Sequence, residues 1–161
     1  MAVTDAWYFA YGSNMDPQRL DERRVEFTER QPGLLSGWRL VFDKRSKNDP
    51  TIGFANIVRD ADFVVEGILY CLGPVGLERL DQFEKTPEHY ERVVLEIASD
   101  RGHVDAWVYV ATDEWRSPGL RVDPGYLQRL VTGSDLLGKE YREHLDALLQ
   151  QARADNRAAP R

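Results

Sequence analysis

Through the middle of the chain, short apolar and β-branched runs of strand length are separated by Gly, Pro, Asn and Asp, so strands dominate the pattern there. It predicts strands at 7–11, 38–43, 52–58, 64–72, 90–98 and 103–111. Asp100-Arg101-Gly102 has the composition of a hairpin turn joining the last two, because Gly tolerates the positive φ that such turns need. Adjacent hairpins with few long crossovers imply a mainly antiparallel sheet. Six twisted strands with one apolar face can curl into a small closed or half-closed barrel. The expected class is therefore α+β: a mixed, mainly antiparallel six-stranded β-barrel with flanking helices.

Four helices are predicted around that sheet. Asp16 is placed to cap the first, with Pro17 at the opening position where a missing N–H costs nothing. The second spans 74–84 between two strands, the third opens at Asp123-Pro124 and ends near Gly133, and the fourth covers 139–152. Tyr141, Leu145, Leu148 and Leu149 form one stripe on the fourth. The polar stretch 154–161 reads as a tail that frays, leaving 1–153 as one domain with no repeat or linker dividing it.

Composition narrows the class. At 161 residues the chain can bury one sizeable core, roughly 70% of its unfolded surface. No apolar run approaches the roughly 20 residues of a membrane span, and Met1 to Ala6 offers neither a basic start nor a long apolar stretch. The expected address is the cytoplasm, with no membrane partner. Cys71, the only cysteine, allows no internal disulfide and fits a reducing compartment. With 21 basic and 27 acidic residues the net charge is −6. The short basic patches around Arg19 to Arg24 and Lys44 to Lys47 are interleaved with acids, which argues against nucleic acid as a partner. Three scattered histidines and one cysteine give no metal-ligand spacing, so no metal is expected.

Two stretches carry chemistry. In WYFAYGSNM, residues 7–15, an apolar run stops at a glycine-bearing loop before a helix. Such a loop leaves backbone N–H groups without partners, and Gly12 allows close approach while Ser13 and Asn14 add a hydroxyl and an amide. The same composition also suits a plain tight turn. No nucleotide fingerprint follows, nor the GxSxG elbow of a serine hydrolase, and nothing in the sequence brings His89, His103 or His144 to Ser13 as a base.

In LERLDQFEKTPEHY, residues 77–90, Leu77, Leu80 and Glu84 fall at i, i+3 and i+7. Glu84 thus continues the stripe that faces the core. Burial and the negative end of the helix dipole disfavour its charged form, and a pKa raised from about 4.3 toward neutrality would fit it for proton transfer. The alternatives are a glutamate that snorkels to solvent or pairs with Arg92 or Lys85, and an Asp81 that caps or makes a surface ion pair. His89 reads as a surface or packing histidine.

Together these stretches resemble the gamma-glutamylcyclotransferase superfamily. The matching residues are Tyr11-Gly12-Ser13-Asn14, Leu80-Asp81-Gln82-Phe83-Glu84 and Tyr90, with Gly53-Phe54-Ala55, Glu66-Gly67-Ile68-Leu69-Tyr70 and Tyr126 in the same order. The likeness covers roughly 7–145. It implies a small barrel holding a small-molecule γ-glutamyl substrate, whose α-amine attacks its own side-chain carbonyl to give 5-oxoproline and release an amine or amino acid. Glu84 is then the proton-transferring group, and the backbone of residues 11–13 steadies the carbonyl oxygen or the substrate α-carboxylate. Tyr90, Tyr109 and Tyr126 become wall and hydroxyl contacts, although Tyr109 also suits cross-strand packing. No cofactor is required. Relatives often carry Gly directly after the glutamate, whereas this chain has Lys85 and then Thr86-Pro87. That departure bears on which leaving group fits. A non-catalytic binding module with the same pocket, and removal of a γ-glutamyl protecting group in specialised metabolism, stand as alternatives. An open, acidic mouth would indicate a cationic amine as leaving group, and a small closed cavity an amino acid. Either a monomer or a homodimer is compatible, with Trp38 and Trp115 suited either to a subunit contact or to the core.

Overall fold

The computed structural model describes residues 5–158. Five strands close into a barrel in the order β1-β3-β2-β4-β5: β1 (Ala6–Ala10), β2 (Phe27–Arg45), β3 (Gly53–Leu72), β4 (Tyr90–Ser99) and β5 (Gly102–Ala111). All but one of the pairings are antiparallel, and the parallel contact of Tyr8 with Trp107 between β1 and β5 closes the ring. The sheet is thus mixed and mainly antiparallel, but among the described residues it has five strands and not the expected six. Residues 53–58 and 64–72 belong to the single strand β3, because the strand runs on through the polar segment 59–62: Arg59 pairs with Trp38 and Val64 with Ser36 on either side of a register shift in β2, and the residues between them carry no partner in the ladder, while Ile52 lies just before the strand as an isolated bridge to Arg121.

Strand β2 also begins eleven residues before Trp38, at Phe27. Pro32-Gly33 looks like a break in the sequence, yet Pro32 sits opposite Ile68 in the ladder. A proline can occupy a strand where its nitrogen owes no ladder bond. Gly33 is needed for packing, since a Cβ there would fall 2.7 Å from Ile97 Cγ2. Register shifts occur between Ser36 and Trp38 and between Val41 and Lys44. At the first, Gly37 has φ +83°, a left-handed conformation that favours glycine.

Both faces of β1 are covered. Phe9 packs with Leu69, Ile97 and Val108 inside the barrel. Tyr8 and Ala10 join Met15, Leu20, Leu127, Leu130 and Leu145 under the helices. That explains the continuous apolar run at the start of the chain: a strand buried on both faces need not alternate.

The helices are α1 (Pro17–Glu22), α2 (Pro74–Phe83), α3 (Pro124–Gly133) and α4 (Lys139–Ala158). Asp16 and Asp123 cap α1 and α3 by accepting the amides of Gln18 and Tyr126. Helix α4 continues six residues past Ala152, and Gln151 donates to Asp155 one turn on. Residues 154–158 of the expected tail are therefore helical, while 159–161 and 1–4 lie outside the described residues. Among the described residues no helix is long and apolar enough to cross a membrane.

Candidate active site

Strand β1 delivers Tyr11 to the rim of the barrel, where the chain turns through Gly12 into the short 3-10 helix Ser13–Met15. The first amides of such a turn have no intrahelical acceptor. Those of Ser13 and Asn14 bond to no protein acceptor among the described residues. Gly12 answers a packing need: a Cβ would stand 3.1 Å from both Ala55 Cβ and Tyr126 Oη. The close neighbours of residue 12 are strand β3 and helix α3.

Glu84 caps the C-terminus of α2, its amide donating to the Leu80 carbonyl at 2.8 Å. Leu77 and Leu80 are buried on the same stripe, so the carboxyl group is carried inward, and only 18% of the Glu84 side chain is exposed. Its Oε1 accepts from Asn14 Nδ2 and from Arg23, each at 3.3 Å. Arg23 in turn donates to Asn14 Oδ1 at 3.0 Å, and Asn14 Nδ2 to Tyr8 Oη at 2.9 Å. The guanidinium also lies 4.8 Å from the Phe83 ring centre. Oε2 has no protein partner among the described residues. Burial pushes the Glu84 carboxyl above its ordinary pKa, against the opposing pull of Arg23, Lys44 and Asn14. Desolvation wins, and the group holds a proton more readily than an exposed glutamate.

Asp81 does not share this proton. It pairs with Arg92 at 3.0 Å and accepts Tyr109 Oη at 2.7 Å. The expected Glu84–Arg92 alternative is thereby taken by Asp81, and Glu84 pairs with Arg23.

Glu84, Tyr11, Gly12, Ser13, Asn14, Tyr90, Tyr109 and Tyr126 all line one cavity of about 210 Å³, small beside the roughly 300–1,000 Å³ of many ligand sites. The four tyrosine hydroxyls are already engaged by protein. Tyr11 donates to the Tyr109 carbonyl, Tyr109 to Asp81, and Tyr90 to the Ala55 carbonyl at 2.8 Å, while Tyr126 accepts the Ala55 amide at 3.1 Å. Burial pushes the Tyr126 hydroxyl up to about 12. These residues form the wall mainly with their rings.

The same cavity is lined by a residue that the sequence reading passed over. Lys44 is 5% exposed, and its Nζ donates to His89 Nδ1 at 2.8 Å, which places the imidazole proton on Nε2. His89 is buried and stacks on Trp115 at 3.5 Å between ring centres. It is a packing histidine, and Trp115 is an internal partner. Burial lowers the Lys44 pKa to about 8 and, together with the neighbouring lysines, that of His89 to about 4. Ser13 has no histidine partner. Among the described residues no group of three or more His, Cys, Asp or Glu gathers as a metal site.

The family model for "Gamma-glutamyl cyclotransferase, AIG2-like" matches residues 8–128, three quarters of the chain, including the loop, Glu84 and all four tyrosines. The chain belongs to this family. Solved structures agree. An uncharacterized protein from Homo sapiens and a structure described as gamma-glutamyl cyclotransferase each align with TM-score 0.74 and 25% identity, over 89% of this chain and 87% of theirs. A yeast gamma-glutamyl cyclotransferase specific to glutathione shares the fold with TM-score 0.67 at 16% identity, over 94% of this chain and 96% of its own. No curated protein sequence matches the chain.

Within this cyclotransferase family frame, the Lys85 departure has a simple backbone reading. Lys85 has φ +52°, so the chain keeps the left-handed turn after Glu84 that a glycine would adopt without strain. Arg23 and Lys44 were missed for different reasons. Arg23 lies in the charged run Asp21-Glu22-Arg23-Arg24, where nothing distinguishes one arginine from the next. For Lys44 the local pattern is broken, since the register shift between Val41 and Lys44 interrupts the alternation of Leu40 and Phe42 before it reaches the lysine.

Proposed function

We propose that the chain is a γ-glutamyl cyclotransferase that converts a γ-glutamyl amino acid or amine to 5-oxoproline, with Glu84 as the proton-transferring residue. The observation that carries this reading is a glutamate of raised pKa, fixed through one oxygen by Asn14 and Arg23, with its other oxygen open to a cavity lined by a glycine-bearing loop.

The chemistry fits those parts. The substrate α-amine nitrogen bonds to the side-chain carbonyl carbon as its proton passes to Glu84. Glu84 returns that proton to the leaving nitrogen as the old C–N bond breaks, so one group serves as base and then acid. The products are the five-membered lactam and a free amine, and no electron or additional group is transferred. Negative charge on the carbonyl oxygen faces the Ser13 and Asn14 amides, which lack protein acceptors and need no reorganisation. Because nucleophile and electrophile share one molecule, the ring walls of Tyr11, Tyr90, Tyr109 and Tyr126 mainly have to fold it into an attacking pose.

Incubation with a panel of γ-glutamyl amino acids and γ-glutamyl amines, read by 5-oxoproline release, tests the proposal. Turnover that disappears in folded Glu84→Gln protein is the expected result. No lactam from any member of the panel, or full activity in the variant, would overturn it.

A further inference from the structure

Twenty-seven acidic and 21 basic residues make the whole chain acidic, yet the cavity inverts the balance. Its wall takes in Arg19, Arg23, Lys44, Lys47 and Lys85, and Glu84 is its single carboxylate. Arg23 is committed to Glu84. Lys44 is not paired with any carboxylate within 4.0 Å among the described residues, although it is among the most buried charged side chains.

An isolated buried ammonium is costly unless something compensates it. Here compensation is partial. One of three N–H donors goes to His89, and the Nζ lies 5.0, 5.5 and 5.8 Å from the ring centres of Trp115, Tyr90 and Phe54. Ring faces attract a cation but supply no hydrogen-bond acceptor. Two donors are thus left without a protein acceptor among the described residues. His89, a neutral acceptor held by its stack on Trp115, aims the ammonium without discharging it. What this arrangement lacks is an anion within hydrogen-bond reach of Lys44, since Glu84 acts on it only through space, and the cavity is where one can enter.

We propose that Lys44, aimed by His89, is an anion subsite for the departing half of the substrate, so that the chain selects γ-glutamyl compounds whose released amine bears an acidic group. This rests on the cyclotransferase reading. It separates the two substrate classes that reading leaves together, because a cationic amine would meet like charges from Lys44, Lys47 and Lys85 and lose rather than gain electrostatic energy. Glu84 attracts Lys44 through space but forms no ion pair with it within 4.0 Å, its carboxyl being held by Asn14 and Arg23.

The test compares three compounds with the same glutamyl half: γ-glutamylalanine, its neutral analogue γ-glutamylethylamide and cationic γ-glutamylcadaverine. Expected kcat/KM falls in that order. In Lys44→Met the preference for the alanine compound over the ethylamide shrinks about ten- to hundredfold, the range for losing a charge-assisted hydrogen bond. Whatever the variant costs in overall turnover cancels in that ratio. An unchanged ratio means that Lys44 serves the glutamyl α-carboxylate or the fold alone, and overturns the inference. Calorimetric binding to Glu84→Gln protein separates this from failure of the parent reading. There, tighter binding of γ-glutamylalanine than of γ-glutamylethylamide, abolished by adding Lys44→Met, is the expected outcome even if no compound is turned over. Equal affinities sink the subsite even if all are.

Discussion

Asn14 Nδ2 and Glu84 Oε1 lie 3.3 Å apart, joining residues separated by 70 positions in sequence. The same side chain accepts from Arg23 through its oxygen, so Asn14 is at once a partner of the carboxyl group and of the cation beside it. Asn14→Asp keeps the shape but places a second carboxylate next to Glu84. A like charge raises a carboxyl pKa. The acid limb of the kcat/KM profile, which reports the free enzyme, is therefore expected to move to higher pH relative to the parent protein. A limb that stays in place would show that Glu84 is not the group titrating there.

Replacement of Glu84 separates activity from stability. Its folded-state pKa is raised, so its contribution to stability is fully present below the unfolded value of 4.5 and lost as pH rises through the folded value. Glutamine mimics the protonated form at every pH. Glu84→Gln is expected to cost roughly a thousandfold or more in kcat, yet to melt higher than the parent at pH 7–8, by about 2–4 °C for each kcal/mol relieved. The two melting curves converge toward pH 4. A variant that melts lower at pH 8 would show that the Arg23 pair outweighs desolvation.

Glu84 and the YGSN loop were legible because local rules expose them: a carboxylate on an apolar helix stripe and a glycine-bearing stop after a strand. The strand count was not legible. Asp60 and Asp62 read as punctuation because sequence patterns assume that a polar cluster ends a strand, whereas β3 continues through them as an irregular stretch between its pairings of Arg59 with Trp38 and Val64 with Ser36. Pro32-Gly33 misled in the same way. Ring walls at Tyr90, Tyr109 and Tyr126 followed from the family likeness, but the partners of their hydroxyls are set by long-range pairing, such as Tyr90 with Ala55. The Lys44 to His89 bond spans 45 positions, and no local pattern encodes it.

Gly12 offers a prediction about how the loop is held. A Cβ at residue 12 would crowd Ala55 Cβ and Tyr126 Oη at 3.1 Å each, and overpacking of this kind costs about 1–3 kcal/mol. Gly12→Ala is expected to lower both the melting temperature and turnover. Tyr126→Phe removes the crowding oxygen but strands the Ala55 amide, at about 1–3 kcal/mol. The two losses therefore overlap, and the double variant should be less destabilised than their sum. Strict additivity in denaturant melts would argue that the alanine is accommodated elsewhere.

His89 gives the acid side of the stability profile its own signature. Burial and the adjacent cation of Lys44 lower its pKa from 6.5 to about 4. A histidine depressed in the folded state contributes stability that is complete above pH 6.5 and is lost as pH falls toward 4. The loss is on the order of 3 kcal/mol, from the size of that displacement. Glu84 works in the opposite direction on acidification, so the comparison must be made between variants at the same pH. His89→Asn retains an acceptor for Lys44 without a group that titrates. It should be less stable than the parent at pH 7, where the stack on Trp115 is lost, and the gap should narrow steadily between pH 6.5 and 4. A constant gap across that interval would mean that the imidazole charges as easily in the folded chain as in the unfolded one, and that it does not sit sealed between Lys44 and Trp115.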